Sequence, residues 1–99
     1  MSHSLGIIEV RGIVTATSCI DAMVKSSYVT ISRIDRVGSG LIAIIIKGDV
    51  ASVQIALEIG REEATKHGEV IAAKVIPKPD DKLDSFISLE EKVNENEKV

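Results

Sequence analysis

Hydrophobic and polar positions follow two different periods along the first 76 residues. Runs that are apolar at every second position, or at every position, predict four strands, at 5–10, 28–37, 41–47 and 70–76. Between them, apolar residues at three- to four-residue spacing predict helices over 13–26 and 50–67. The order β-α-β-β-α-β is that of the split βαβ arrangement of ferredoxin-like folds. We therefore predict an α+β domain with an antiparallel sheet and both helices on one face.

The same spacing assigns particular residues to the core. Ala16, Ile20, Met23 and Val24 share one face of the first predicted helix, which should be buried. Gly60 lies on the buried stripe of the second helix, although glycine there costs about 1 kcal/mol relative to alanine. We therefore expect the two helices to pack closely at Gly60.

The predicted strands differ in how apolar their two faces are. Residues 41–47 are apolar on both faces, which is typical of a central strand covered on both sides. We expect Ile44 and Ile46 to lie away from the helices, under neighbouring subunits, because a large exposed apolar face is unfavourable in a monomer. Along 28–37 the alternation breaks at Arg33-Ile34, which predicts a β-bulge.

Composition excludes several classes of function. The 99 residues are 44% hydrophobic but only 2% aromatic, so one small domain must have an aliphatic core. The net charge of −3 and the scarcity of rings argue against nucleic-acid binding by phosphate neutralisation or base stacking. The chain has no apolar run of 18 residues, and Met1 to Ser4 carry no basic leader. We therefore expect a cytoplasmic protein that does not bind membranes.

The sequence offers little for catalysis or metal binding. His3 and His67 have no Cys, Asp or Glu partner at metal-ligand spacing, so we interpret both as solvated. Cys19 is the only cysteine, and a buried or interfacial thiol is commoner than a nucleophile in a helix. Glu62 and Glu63 point about 100° apart on a helix, which suits a solvated face. We predict no catalytic residue, no metal and no cofactor, and hence a protein that is not an enzyme.

The most informative motif is Gly38-Ser39-Gly40, which joins two predicted strands. A hairpin turn explains it locally, but one glycine usually suffices for such a turn. The motif lacks the Lys-Ser/Thr of a phosphate loop and the third glycine of a dinucleotide fingerprint. A loop with so little side-chain bulk suits close approach, either by a small polar ligand or by copies of itself around a symmetry axis.

Across residues 5–79 the chain resembles the bacterial microcompartment shell proteins, of the single-domain, hexamer-forming class. It is most similar to the shell hexamers of propanediol- and ethanolamine-type organelles. The matching signatures, in order, are Leu5-Gly6-Ile7-Ile8-Glu9, Asp21-Ala22-Met23-Val24-Lys25-Ser26, Arg36-Val37-Gly38-Ser39-Gly40-Leu41, Lys47-Gly48-Asp49-Val50, and Gly68-Glu69-Val70 through Val75-Ile76-Pro77-Lys78-Pro79.

The resemblance implies a structural role with two sets of site residues. Six copies would form a tile, and tiles would join other shell proteins into a facet around encapsulated enzymes. Arg36, Val37, Gly38, Ser39 and Gly40 would line a central pore for small polar metabolites. At the tile edge, Lys25 and Lys78 would contact the neighbouring tile.

The resemblance also gives boundaries, and it leaves one alternative from another class. Residues 4–87 would form the shell domain, and 88–99 an acidic C-terminal tail that the resemblance does not cover. The alternative is an oligomeric, ferredoxin-like regulatory protein that binds a small ligand at the glycine turn. Such a protein would form a closed oligomer stabilised by its effector, whereas tiles would grow into sheets without one.

Overall fold

The computed structural model describes residues 3–76, and these form one β-α-β-β-α-β unit. The strands are β1 (Ser4–Arg11), β2 (Thr30–Gly38), β3 (Leu41–Gly48) and β4 (Val70–Ile76), and the helices are α1 (Ile13–Ser26) and α2 (Val50–His67). The described strands form one antiparallel sheet in the order β2-β3-β1-β4. The predicted ferredoxin-like α+β fold is therefore confirmed.

The core lies between the sheet and the two helices. Ile8, Val10, Ile44 and Ile46 are fully buried on the helix-covered face of the sheet. A Cβ atom added at Gly6 would lie 2.7 Å from Val53 Cγ1 on α2, so β1 and α2 are in close contact at this point. Both helices pack on this one face, as the pattern predicts.

The prediction for the uncovered face of the sheet was wrong in its residues. Ile44 and Ile46 point toward the helices, and successive side chains of a strand point to opposite faces. The outer face therefore carries Ile45 and its β1 partner Ile7, which are half-buried. A run that is apolar on both faces cannot by itself reveal which face the helices cover.

Helix α1 buries a face slightly different from the predicted one. Ala16 and Met23 are buried as expected, but Val24 is 41% exposed and Cys19 is buried instead. The rotation brings small side chains against α2: a Cβ added at Gly60 would lie 2.8 Å from Met23 Sδ and 3.0 Å from Cys19 Sγ. The expected close helix packing at Gly60 is confirmed.

Two irregularities shape β2, the edge strand before the glycine turn. Its register with β3 shifts between Ile31 and Arg33, adjacent to the predicted bulge at Arg33-Ile34. A second shift, between Arg36 and Gly38, leaves Val37 without a directly opposed residue. A bulge strengthens the local twist of a strand and redirects its side chains. This second bulge directs the chain into the turn that follows.

Candidate functional site

The Gly38-Ser39-Gly40 motif forms the β2–β3 hairpin turn, in an unusual conformation. All three residues have positive φ, at 113°, 55° and 78°, and Gly38 pairs with Leu41 across the hairpin. Positive φ at both central residues, Ser39 and Gly40, is the pattern of a type I′ turn, which matches the twist of the flanking strands. The turn itself therefore needs only Gly40, and Gly38 is required by the bulge that precedes the turn. All three residues are exposed.

The junction of β1 and α1 holds this turn from one side. Arg11 Nη1 donates to the Ser39 carbonyl oxygen at 2.7 Å, and the Gly12 N–H donates to the Gly40 carbonyl oxygen at 2.8 Å. Sequence reasoning missed Arg11, because 28 residues separate it from Ser39 and no local pattern links the two. The turn is therefore anchored through its backbone, and its position does not depend on the Ser39 side chain.

A shallow pocket of about 360 Å³ lies beside the turn. Its charged lining residue is Arg36, and its other lining residues are glycines and aliphatic side chains: Gly12, Ile13, Gly38, Gly40, Leu41 and Ile42. Arg36 and Val37 are exposed, Val37 by 56%. Three of the five predicted pore residues, Arg36, Gly38 and Gly40, thus line this pocket, and Val37 and Ser39 lie next to them in the chain.

Lys25 lies at the other end of the domain from the glycine turn. Helix α1 begins just after Gly12, which contacts the turn, and its 14 residues span about 20 Å before Ser26 ends it. Lys25 Nζ is 3.2 Å from Asp21 Oδ2, an i, i+4 pair, and its side chain is 73% exposed. The structure thus separates Lys25 from the predicted pore residues. Lys78 lies outside the described residues.

Sequence reasoning also missed a polar cluster between the two helices, around Glu63. The Ser18 hydroxyl donates to Glu63 Oε2 at 3.0 Å, and His67 Nε2 lies 2.9 Å from the same oxygen. The Glu63 side chain is only 26% exposed, and its carboxylate is the partner of His67. The hydrogen bonds from Ser18 and then from His67 lower the pKa of Glu63. Positions 18 and 63 face each other only once the helices are packed, so sequence spacing gives no signal for that pair. The Glu63–His67 pair is local, at i, i+4, and the interpretation of His67 as simply solvated overlooked it.

The remaining chemistry-bearing side chain, Cys19, is inert. It is fully buried, and its thiol lies 3.5 Å from the Gly60 carbonyl oxygen. Burial, followed by the charge of Glu63, raises the pKa of Cys19 to about 11, which keeps the thiol protonated at neutral pH. The expectation of a buried thiol is confirmed.

Within residues 3–76, no three His, Cys, Asp or Glu side chains come together in a group that could hold a metal ion. In the same part of the chain, no helix is both long and apolar enough to span a membrane.

Comparison with known proteins agrees with this geometry. A family model described as the BMC domain matches residues 4–79. The bacterial microcompartment shell protein PduA of Citrobacter freundii is 42% identical over 77 residues, which cover 78% of this chain and 83% of PduA. The shell protein EutM of Salmonella typhimurium is 34% identical over 94 residues, covering 95% of this chain and 98% of EutM.

A solved structure shares the fold. A microcompartments protein from Desulfitobacterium hafniense superposes with a TM-score of 0.72 at 30% identity, over 82% of this chain. The matched region is 44% of that protein's chain, so this chain spans less than half of its length.

The sheet order, the paired helices and the anchored glycine turn define a small ferredoxin-like α+β domain. With the family model covering most of the sequence, the chain belongs to the BMC-domain family of bacterial microcompartment shell proteins. Its function is therefore that of a structural shell protein, and the alternative of a regulatory ligand-binding protein is not supported.

Proposed function

We propose that six copies of the chain form a flat tile and that their Gly38-Ser39-Gly40 turns meet around a central pore. The observation that carries the proposal is the space at the turn. In the described part of the chain, no heavy atom beyond Gly38 and its two chain neighbours lies within 4 Å of a Cβ added at Gly38. Arg11 and Gly12 contact the turn at Ser39 and Gly40, and the open space beside Gly38 leaves room for other copies.

The distance between the glycine turn and Lys25 supports a tile in which the turn lies near the symmetry axis and Lys25 near the outer edge. The turn and Lys25 lie at opposite ends of α1, about 20 Å apart along the helix axis. If the turn faces the symmetry axis, Lys25 lies toward the outside of the tile. The fully exposed Tyr28, 92% accessible, is three residues beyond Lys25 and belongs to the same outer region.

The pore chemistry follows from its proposed lining. Six Ser39 hydroxyl groups can each donate and accept a hydrogen bond, so a small polar metabolite can exchange its hydration for contacts with the pore. Six copies of Arg36 and of its neighbour Val37 would surround the mouth of the pore. The positive charge of Arg36 would favour anions there. An apolar aldehyde gains less from such a lining. The tile therefore passes polar substrates to encapsulated enzymes and has no catalytic residue of its own.

The remaining assignments complete the tile. Lys25 and Lys78 contact the neighbouring tile or another shell protein at the edge. Residues 4–87 form the shell domain and residues 88–99 the acidic tail. Lys78 offers a single charged nitrogen, whereas an arginine at the same position could donate two hydrogen bonds to one carboxylate. We therefore expect Lys78 to contribute weakly to the edge contact.

The proposed edge is tested by comparing wild type with Lys25→Ala, with Lys66→Ala as a surface-lysine control on α2. Light scattering and negative-stain microscopy report the mass of the oligomer and the presence of sheets. Wild type and Lys66→Ala should form hexamers that grow into sheets, and Lys25→Ala should stop at discrete hexamers. A wild type that remains dimeric or trimeric at every concentration would contradict the tile.

The proposed pore is tested with Ser39→Leu, which fills the opening with six isobutyl groups. Shells assembled with this variant should lose permeability to a small diol or carboxylate while hexamers still form. Ser39→Asn is the matched control, because asparagine has nearly the shape of leucine, keeps hydrogen-bonding groups and tolerates the φ of 55° at this position. Equal permeability of Ser39→Leu and wild-type shells to the polar solute would contradict the pore assignment.

A further inference from the structure

Arg11 connects three segments that meet at one end of the sheet. Its Nη1 donates to the Ser39 carbonyl oxygen at 2.7 Å, and its Nε lies 3.4 Å from Glu69 Oε1. Its backbone N–H also donates to the Glu69 carbonyl oxygen at 3.3 Å. One guanidinium group thus joins the end of β1 to the β2–β3 turn and to the connection between α2 and β4.

A second contact fixes the adjacent peptide of the turn from the same side. The Gly12 N–H donates to the Gly40 carbonyl oxygen at 2.8 Å. In a trans peptide the C=O and the following N–H point in opposite directions. With the Ser39 carbonyl turned toward Arg11, the Gly40 N–H must therefore point away from Arg11. The backbone orientation of the turn is set by its two carbonyl partners.

We infer that Arg11 is a positioning residue for the turn, fixing which backbone groups Ser39 and Gly40 present at the pore; this inference rests on the proposed function. An arginine suits the task because its planar group can donate from Nη1 and Nε to two different acceptors at once, whereas a lysine offers one nitrogen. The Arg11 side chain is 49% exposed, so it contributes little to the core. Its effect should be local to the turn.

Other arrangements at the turn do not supply this constraint. Ser39 adopts a left-handed conformation, with φ 55°, which non-glycine residues adopt uncommonly unless the surroundings impose it. Side-chain packing does not surround Gly38 or Gly12, since an added Cβ at either would meet no heavy atom of the described chain within 4 Å other than those of its chain neighbours. The β1–β3 pairing of Arg11 with Leu41 holds the start of β3, and the hydrogen bonds from Arg11 and Gly12 hold the turn residues Ser39 and Gly40 themselves.

The test compares amide hydrogen exchange of the full-length oligomer in wild type, Arg11→Met and Arg11→Lys. Arg33→Met is the matched control, because Arg33 forms an exposed pair with Asp35 at 2.9 Å and does not contact the turn. A lost charge-assisted hydrogen bond should speed exchange of the 38–41 amides about tenfold or more in Arg11→Met. Arg11→Lys should give a smaller increase, and the amides of α2 should not change in either variant. Unchanged exchange at 38–41 in both variants would overturn the inference.

Pore permeability separates this inference from the proposed function. The permeability of assembled shells to a small carboxylate is measured for wild type, Arg11→Met, Arg33→Met and Ser39→Leu. Faster exchange together with altered permeability in Arg11→Met, and neither in Arg33→Met, supports the inference. If Ser39→Leu alters permeability but Arg11→Met does not, the pore stands and Arg11 does not set it. If neither alters permeability while exchange still rises, Arg11 positions the turn and the turn is not the pore.

Discussion

Gly38 in the β2–β3 turn and Gly60 in α2 are required for opposite reasons. At Gly60 the backbone is an ordinary helix, and neighbouring atoms exclude a side chain: Met23 Sδ would lie 2.8 Å from an added Cβ. At Gly38 the described chain leaves the space empty, and φ of 113° is what excludes an L side chain. Gly60 serves the core of one protomer. Within residues 3–76, no side chain of the same protomer packs into the space beside Gly38, so this space is available for contact between copies.

The largest effect in this comparison is expected for Gly60→Val. The added methyl groups would overlap Met23 and Cys19, and α2 could not move away without opening the buried helix interface. Overpacking at such a site costs about 3 kcal/mol in the free energy of unfolding. Urea unfolding followed by circular dichroism, at a fixed protomer concentration, measures the change.

Glu62→Val is the control for Gly60→Val. It places the same β-branched side chain in the same helix but on the exposed face, so only a loss of helix propensity of about 0.5 kcal/mol is expected. Valine has a higher helix propensity than glycine, so propensity alone cannot destabilise Gly60→Val. A loss no larger than that of Glu62→Val would mean that the contact with Met23 and Cys19 does not explain the requirement for Gly60.

A smaller effect is expected for Gly38→Ala, because the added methyl meets no atom of the described chain. Only the backbone conformation is unfavourable, and a residue held in a sparsely populated region costs roughly 2 kcal/mol. D-alanine at position 38, introduced by chemical ligation, prefers positive φ and should restore the stability measured by urea unfolding. If D-alanine destabilises the protomer as much as L-alanine does, contacts and not φ explain the need for glycine at this position.

The two glycines also show how far sequence reasoning extends. Gly60 could be assigned to a packed helix interface, because its position in the 3.6-residue period is local information. The bounds of both helices and the antiparallel sheet followed from similar periods. Gly38-Ser39-Gly40 could be recognised as unusual, but its residues alone allowed both a ligand site and a symmetry axis.

What could not be predicted depends on pairs distant in sequence. Ser18 and Glu63 are 45 residues apart, and Arg11 and Ser39 are 28 apart. Each pair meets only because the helices and strands pack in one particular register. The outward face of β3 was misassigned for the same reason, since a strand that is apolar on both sides carries no sign of which side the helices cover.

The smallest effect concerns the α1–α2 interface again, at its polar end. The pKa of Glu63 in the folded protein lies below its usual value of 4.5, chiefly because the Ser18 hydroxyl and then His67 hydrogen-bond to the carboxylate. A lowered acid pKa stabilises the folded state at pH values above 4.5, and this contribution is lost as pH falls through the folded pKa. Ser18→Ala removes the largest of these causes, so it should reduce stability at neutral pH.

The pH dependence distinguishes this contact from an ordinary hydrogen bond. The difference in unfolding free energy between wild type and Ser18→Ala, measured from pH 5 down to about pH 3, should shrink as pH falls below 4.5. Thr17→Ala is the control, because Thr17 Oγ1 bonds the Ile13 carbonyl oxygen at 2.8 Å and involves no titrating partner. Its difference from wild type should not change with pH. A Ser18→Ala difference that is equally flat across this range would mean that the charge of Glu63 adds nothing to the contact between the helices.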